Sequence, residues 1–154
     1  MVSPELLRRY PFFAFLDDAQ HKAIAMIAEE LFCAEGKAVF EEGHTADALY
    51  LLMDGSVDLY FTPHSDNGRP SEPILVGEIN PGEPFGLSAL IEPHTLNATA
   101  RAAKPCRLLR IDGAGLRALF EVDCRMGYVL MRQIAKAVLE RLYFARLQLA
   151  AARA

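Results

Sequence analysis

The stretch Pro81-Gly82-Glu83-Pro84-Phe85-Gly86-Leu87-Ser88-Ala89-Leu90-Ile91, followed shortly by Leu96-Asn97-Ala98-Thr99-Ala100, decides the reading of this chain. A Phe-Gly turn runs into a short apolar helical turn, and a strand of small residues follows. That order builds a cradle for a phosphate or another small ligand. The N–H groups at the start of a short helix point at one spot, and glycine lets a ligand approach the backbone closely.

On either side of the cradle the chain reads as short apolar runs separated by turn residues. Phe32–Ala34, Ala38–Phe40, Ala48–Met53, Ser56–Phe61, Pro73–Ile79, Asn97–Ala102 and Cys106–Ile111 are the expected strands. Glu35-Gly36-Lys37, Glu42-Gly43-His44, Asp54-Gly55, Asn80-Pro81-Gly82 and Lys104-Pro105 separate them, and Asp-Gly between two apolar runs signals a hairpin. Short strands without intervening helices predict an antiparallel roll rather than a βαβ sheet. The polar tract Thr62–Ser71 reads as an exposed hairpin extension.

Helical patterns flank the roll. An apolar opening with Leu6, Leu7, Tyr10, Phe12, Phe13 and Phe15 around Pro11 predicts a short helix and an aromatic plug. Asp17 with Gln20 three residues on predicts a capping box, starting a helix expected to run to about Leu31. Asp112 caps a further helix near Gly113–Phe120, and the longest helical pattern runs from about Cys124 to Ala151. There Met131, Ala135, Val138, Leu142, Ala145 and Leu149 step alternately by four and three, the spacing of a coiled-coil seam. A second stripe, Met126, Leu130, Ile134 and Ala137, predicts burial against the roll. Two stripes imply two partners, so a homodimer through this helix is expected. The organisation expected is one domain over 1–154, with N-terminal helices at 1–31, a β-roll at 32–111 and C-terminal helices at 112–154.

Composition excludes several classes. The 154 residues are 52% hydrophobic and 23% charged, which fits one packed domain and not a disordered chain. No run of about 18 apolar residues exists, excluding a transmembrane helix of that kind. The first residues lack the basic and apolar regions of a signal peptide, so a cytoplasmic location is expected. Cys33, Cys106 and Cys124 are odd in number without a Cys-x-x-Cys pair, and read as reduced, packed thiols. His21, His44, His64 and His94 are dispersed, so no metal and no cofactor is expected. Ser88 has no visible His-plus-acid arrangement around it, which argues against an enzyme. Residues 1–124 hold 10 Lys and Arg against 19 Asp and Glu, whereas residues 125–154 hold six against one. An acidic body thus ends in a basic helix.

The spacing Gly43-x₆-Tyr50-x₄-Gly55, the Gly82-x₂-Phe85-Gly86-x₃-Leu90 turn, the Ala98-Thr99-Ala100 strand and the terminal helix occur in one order. Together they resemble the cyclic-nucleotide-binding domain, in particular the sensory domain of catabolite-activator-type regulators, over about residues 10–150. The resemblance implies a mainly β fold: a jelly-roll-like antiparallel β-roll with flanking helices. It also implies a long last helix that lids the pocket and forms the dimer interface. It places the ligand pocket at Phe85, Gly86, Leu87, Ser88, Ala89, Leu90, Leu96, Asn97, Ala98 and Thr99. In the family pattern a Glu that binds the ribose falls at Leu87, and an Arg that neutralises the cyclic phosphate falls at Leu96. Both readers are isobutyl groups here.

No Lys or Arg occurs between Arg69 and Arg101, while Glu72, Glu78, Glu83 and Glu92 do. Arg101 and Arg146 are the cations weighed as substitutes, and Arg101 reads as a surface arginine. An unpaired anion buried here lacks several kcal/mol of compensation, on the order of a lost charge-assisted pair. A non-catalytic regulatory module that does not bind cAMP or cGMP in the usual way is therefore expected, sensing an uncharged or apolar small molecule in the same pocket. The alternatives are a ligand-free dimerisation or protein-interaction scaffold, and a cyclic-nucleotide sensor using non-standard contacts. The family's regulators carry a helix-turn-helix after the long helix. The sequence ends at Ala154 without one, so a stand-alone module without direct DNA binding is expected, acting away from membranes through a partner protein.

Overall fold

The computed structural model describes residues 1–64, 67–69 and 71–154. Two four-stranded antiparallel sheets face each other. One has the order β1 (Ala28–Cys33), β8 (Cys106–Asp112), β3 (Ala48–Asp54), β6 (Pro84–Phe85). The other has the order β2 (Ala38–Phe40), β7 (Thr99–Ala102), β4 (Val57–Phe61), β5 (Ile74–Ile79). The mainly β roll with flanking helices expected from the sequence is the fold observed.

The strand β3 shows why the roll closes. It is apolar on both faces, as a strand covered twice must be. Leu49, Leu51 and Met53 point to the helices, while Leu52 and Tyr50 point into the roll. Outside, Leu7, Phe13 and Ile24 meet Leu116, Met126, Leu130 and Ile134 over the first sheet. Inside, Leu52, Val57, Ile79, Phe85, Ala100, Ala102 and Leu108 fill the space between the sheets. The small residues of β7 let the sheets approach. At the Asp54-Gly55 hairpin Gly55 has φ +105, and a Cβ there would lie 2.6 Å from the Pro105 carbonyl oxygen.

Among the described residues four helices flank the roll: α1 (Pro4–Arg8), α2 (Asp18–Met26), α3 (Gly113–Val122) and α4 (Cys124–Arg153). A 3₁₀ turn at Pro11–Phe13 supplies the aromatic plug. The capping box of α2 is formed as the sequence reads, with Asp17 accepting from the Gln20 N–H and Gln20 accepting from the Asp17 N–H. The Asp112 side chain caps α3 by accepting from the Gly115 N–H.

Three expectations are corrected. The helix α2 stops at Met26 rather than near Leu31, because Ala28–Cys33 pairs residue by residue with Cys106–Ile111. Ladder hydrogen bonds and the burial of Ala28 outweigh the continuing helical spacing, so the roll begins at 28 and not at 32. Phe15 does not join the plug; Phe12 and Phe13 are buried, while Phe15 is exposed beside Tyr128 and Arg132. Pro84–Phe85, read as turn, is the two-residue strand β6, paired to Tyr50 and Leu51. The expected hairpin extension at 62–71 falls in part on residues 65, 66 and 70, outside the described residues.

The α3–α4 junction turns on Asp123. Its carboxylate accepts from the Gln20 side-chain amide at 2.9 Å and from the Met126 N–H at 3.1 Å, tying α2 to the start of α4. These bonds, the Gln20 bond foremost, hold its carboxyl below the usual aspartate range. A depressed acid stabilises the fold above its unfolded pKa, and that contribution fades as pH falls through its folded one. Asp123→Asn should therefore lower stability at neutral pH and flatten its decline on acidification below about pH 4, measured by urea denaturation across a pH series.

Candidate functional site

The cradle is built where β6 leaves the roll. Gly86 is left-handed, at φ 69, and passes close to the rings of Phe40 and Tyr50 and the Ala48 carbonyl. A Cβ on Gly86 would lie 3.1 Å from Tyr50 Cδ2 and 3.3 Å from Phe40 Cε2. Only a glycine takes this conformation and this contact together without strain. The 3₁₀ turn Leu87–Leu90 follows, and Arg117 of α3 donates to the Ala89 carbonyl at 2.6 Å.

The returning loop is tied to the segment before β3. The Gly43 N–H donates to the Leu96 carbonyl at 2.8 Å, and the Leu96 N–H donates to the His44 carbonyl at 2.9 Å. The Ala46 N–H donates to the His94 carbonyl at 2.8 Å, and Thr45 bridges to Thr95. Leu96 is thus fixed by its backbone on both sides, and its side chain is 5% exposed. It forms a small apolar cluster with Ala46 and Ala89, with Phe40 packed against them.

The structure separates residues that the sequence analysis placed in one pocket. Leu87 and Leu90 pack against the helical core, not beside Leu96. Phe85 belongs to the filled interior of the roll. Ser88 and Ala98 are half-buried, and Asn97 is exposed. Thr99 is half-buried and accepts the Glu42 N–H at 3.0 Å through Oγ1. Phe40, Tyr50 and Phe85 stack with centroids 5.4–5.9 Å apart, directly behind Gly86. Two amides of the turn region are engaged locally: the Ala89 N–H donates to the Gly86 carbonyl and the Ile91 N–H to the Ser88 carbonyl.

A half-open hollow of about 270 Å³ lies beside Leu96. Val39, Phe40, Ala46, Ala48 and Tyr50 also line it, with Glu41, His44, Thr45, Asp47 and Arg110 contributing polar groups. Arg110 faces the Glu29 carboxylate at 3.4 Å, and Leu87 is not part of the lining. Neither substitute cation enters the cradle. Arg101 is exposed and donates to the Gly36 carbonyl at 3.0 Å, and Arg146 is exposed on α4.

Two other arginines, not singled out from the sequence, bracket the turn. Arg117 holds the Ala89 carbonyl, and Arg141 of α4 donates through Nη2 to the Pro84 carbonyl. The Arg141 Nε has no partner among the described residues. Burial pushes its guanidinium below the usual value, with Glu83 and Glu140 opposing that shift. No spacing rule marks either residue, because each acts on a backbone carbonyl remote in sequence.

Two of the α4 stripes diverge. Met126, Leu130 and Ile134 are buried, and Ala137 is half-buried. Of the seam, Met131 is half-buried, while Ala135, Val138, Leu142, Ala145 and Leu149 are exposed. Among the described residues no group of three or more His, Cys, Asp or Glu is placed to hold a metal ion. No helix among them is long and apolar enough to cross a membrane.

A β-roll carrying a Gly-led short-helix turn under a long C-terminal helix is the architecture of a class of regulatory β-roll domains. Residues 30–123 match the family model described as the cyclic nucleotide-binding domain, and the chain belongs to that family. It is similar, at 43% identity, to a crystal structure designated a cyclic nucleotide-binding protein from Geobacter metallireducens GS-15. The TM-score is 0.80, covering 92% of this chain and 99% of that one. It is 32% identical over 119 residues to a Rhodopseudomonas palustris protein designated a potassium channel protein, covering 77% of this chain and 27% of that one. A cAMP-dependent protein kinase regulatory subunit from Mycosarcoma maydis is 28% identical over 120 residues, covering 73% and 23%. The chain thus spans about a quarter of the length of these last two relatives.

Leu96→Ala should destabilise the chain by about 2–5 kcal/mol, the range for a buried leucine whose surroundings relax only partly. Urea denaturation followed by circular dichroism measures it.

Proposed function

We propose that this chain is a non-catalytic regulatory module whose cradle does not take cAMP or cGMP by the usual ribose and phosphate contacts. It acts as a dimerisation and interaction scaffold through α4. The observation that carries this reading is the burial of Leu96 against Ala46 and Ala89, with its backbone bonded on both sides. A cyclic phosphate placed there meets methyl groups instead of a guanidinium, and desolvation of its charge goes uncompensated. The filled roll interior behind Gly86 supports the same reading, because the ring trio already occupies that volume.

The second reading, an uncharged or apolar effector in the same region, draws on the hollow beside Leu96. Its volume of about 270 Å³ falls just short of the roughly 300 Å³ where small-molecule sites begin. Charged groups line it alongside its apolar floor, which suits an apolar ligand poorly. The scaffold reading is therefore preferred.

The dimer reading rests on α4. Its proximal half buries Met126, Leu130 and Ile134 in its own domain, while the distal half exposes Val138, Leu142 and Leu149 of the seam together with Leu139, Tyr143, Phe144 and Leu147. A 30-residue helix with an unpaired apolar distal half is matched by the same helix of a second copy. Membrane-independent action at a cytoplasmic location, and signalling to a partner protein rather than to DNA, complete the proposal.

Calorimetry with cAMP and with cGMP should give no binding; a dissociation constant tighter than about 10 μM overturns the cradle reading. Light scattering at micromolar concentration should give a dimer mass, and Leu142→Glu should convert it to monomer. A wild-type monomer under those conditions sinks the dimer.

A further inference from the structure

Cys33 closes β1 and Cys106 opens β8, and the two are register partners in the antiparallel ladder. Residues directly opposed in such a ladder share a face, and both cysteines face the interior cluster of the roll. Opposed Cα atoms lie about 4.5 or 5.5 Å apart, depending on the hydrogen-bonding of the pair. Either value falls within the roughly 4.4–6.8 Å spanned by disulfides. From a cross-strand Cβ separation of roughly 4.5–5.5 Å, the Cβ atoms need to close by about 1–2 Å. That movement is available at a ladder end, where Glu35-Gly36-Lys37 and Lys104-Pro105 turn the chain immediately outside the pair.

Both cysteines are thiols in this structure. Cys33 Sγ lies 3.6 Å from the Lys37 carbonyl oxygen, and Cys106 Sγ lies 3.0 Å from that of Lys104. Their proximity is felt electrostatically: burial and the neighbouring Cys106 push the Cys33 thiol up, with Lys37 partly offsetting them. Cys33 is half-buried and Cys106 is buried, so an oxidant meets Cys33 first. Cys124, exposed at the start of α4, is an internal reference outside the ladder.

We propose that Cys33 and Cys106 form an oxidisable pair, which a peroxide converts into a reversible disulfide joining β1 to β8. The Cys33 thiolate attacks one peroxide oxygen, the O–O bond breaks, and a sulfenic acid and one water result. The Cys106 thiolate then attacks the sulfenic sulfur, forming the S–S bond and expelling the oxygen as a second water. Two thiols lose two electrons and two protons, and one peroxide is reduced to two waters. Because the thiolate is the reacting form, the reaction accelerates as pH rises toward the elevated Cys33 pKa.

The test treats the full chain with hydrogen peroxide, alkylates the remaining thiols, digests it without reductant and reads the peptides by mass spectrometry. A peptide linking Cys33 to Cys106, lighter by two hydrogens and resolved by dithiothreitol, is the expected result, forming faster at higher pH. In Cys33→Ser, Cys106 should survive the same exposure as an alkylatable thiol. The proposal is overturned if Cys33 and Cys106 remain thiols when Cys124 is fully oxidised. It is equally overturned if each passes separately to sulfinic acid, or if Cys106 pairs with Cys124 instead.

Discussion

The approach of Gly86 to the Phe40 and Tyr50 rings is the contact on which the rest of the site depends. The left-handed backbone there turns the chain out of β6 and into the 3₁₀ turn, while the absent Cβ lets two aromatic rings close behind it. Phe85, one residue earlier, completes the stack and anchors the short strand in the filled roll. The carbonyls on either side of the turn are then held from outside, Pro84 by Arg141 of α4 and Ala89 by Arg117 of α3. Each guanidinium supplies a charge-assisted donor to a backbone carbonyl, Pro84 within β6 and Ala89 within the 3₁₀ turn. The cradle is therefore a rigid piece of backbone clamped between the roll and two helices.

Rigidity of this kind does not need the ligand readers of the family. The turn is shaped by a glycine, a ring stack and two arginines, and the returning loop by its ribbon with 43–46. None of these involves a side chain at 87 or 96. Those two positions are consequently free to be apolar without loss of the fold, and the structure gives each a separate use. Leu87 joins the helical core and Leu96 seals the small cluster under the loop. Burial of the Leu96 isobutyl group stabilises the chain by roughly 2 kcal/mol, and the half-buried Leu87 contributes less.

The helix α4 divides around its circumference in its proximal half, where Met126, Leu130 and Ile134 are buried while Tyr128 and Ala135 are exposed, and along its length beyond that. Met126, Leu130 and Ile134 are enclosed by α2, the plug and the first sheet, and farther along Arg141 donates to the Pro84 carbonyl of the roll. Beyond it the apolar residues face outward. The lone Nε of Arg141 sits at this divide, where burial disfavours its charge and two glutamates support it. The attachment of the distal helix to the cradle strand thus rests on a polar contact, while the proximal attachment rests on apolar area.

The amino-acid sequence by itself determined the features set by local chemistry. The Asp17–Gln20 capping box, the Asp54-Gly55 hairpin, the β-roll pattern and the two stripes of α4 follow from propensities and periods acting within a few residues. The resemblance carried by the glycine spacings, rather than these local features, implied that Leu87 and Leu96 stand at the positions of the family's ligand readers. Tertiary structure decided what required partners far along the chain. It ended α2 at Met26 because Ala28 pairs with Ile111. It turned Phe15 outward, made a strand of Pro84–Phe85, and sent Leu87 and Leu96 into different clusters. Arg117 and Arg141 were invisible beforehand because a carbonyl accepting a remote guanidinium leaves no trace in local spacing. Pairing register and side-chain direction are set by long-range burial, which a one-dimensional pattern constrains only to a period, not to a neighbour.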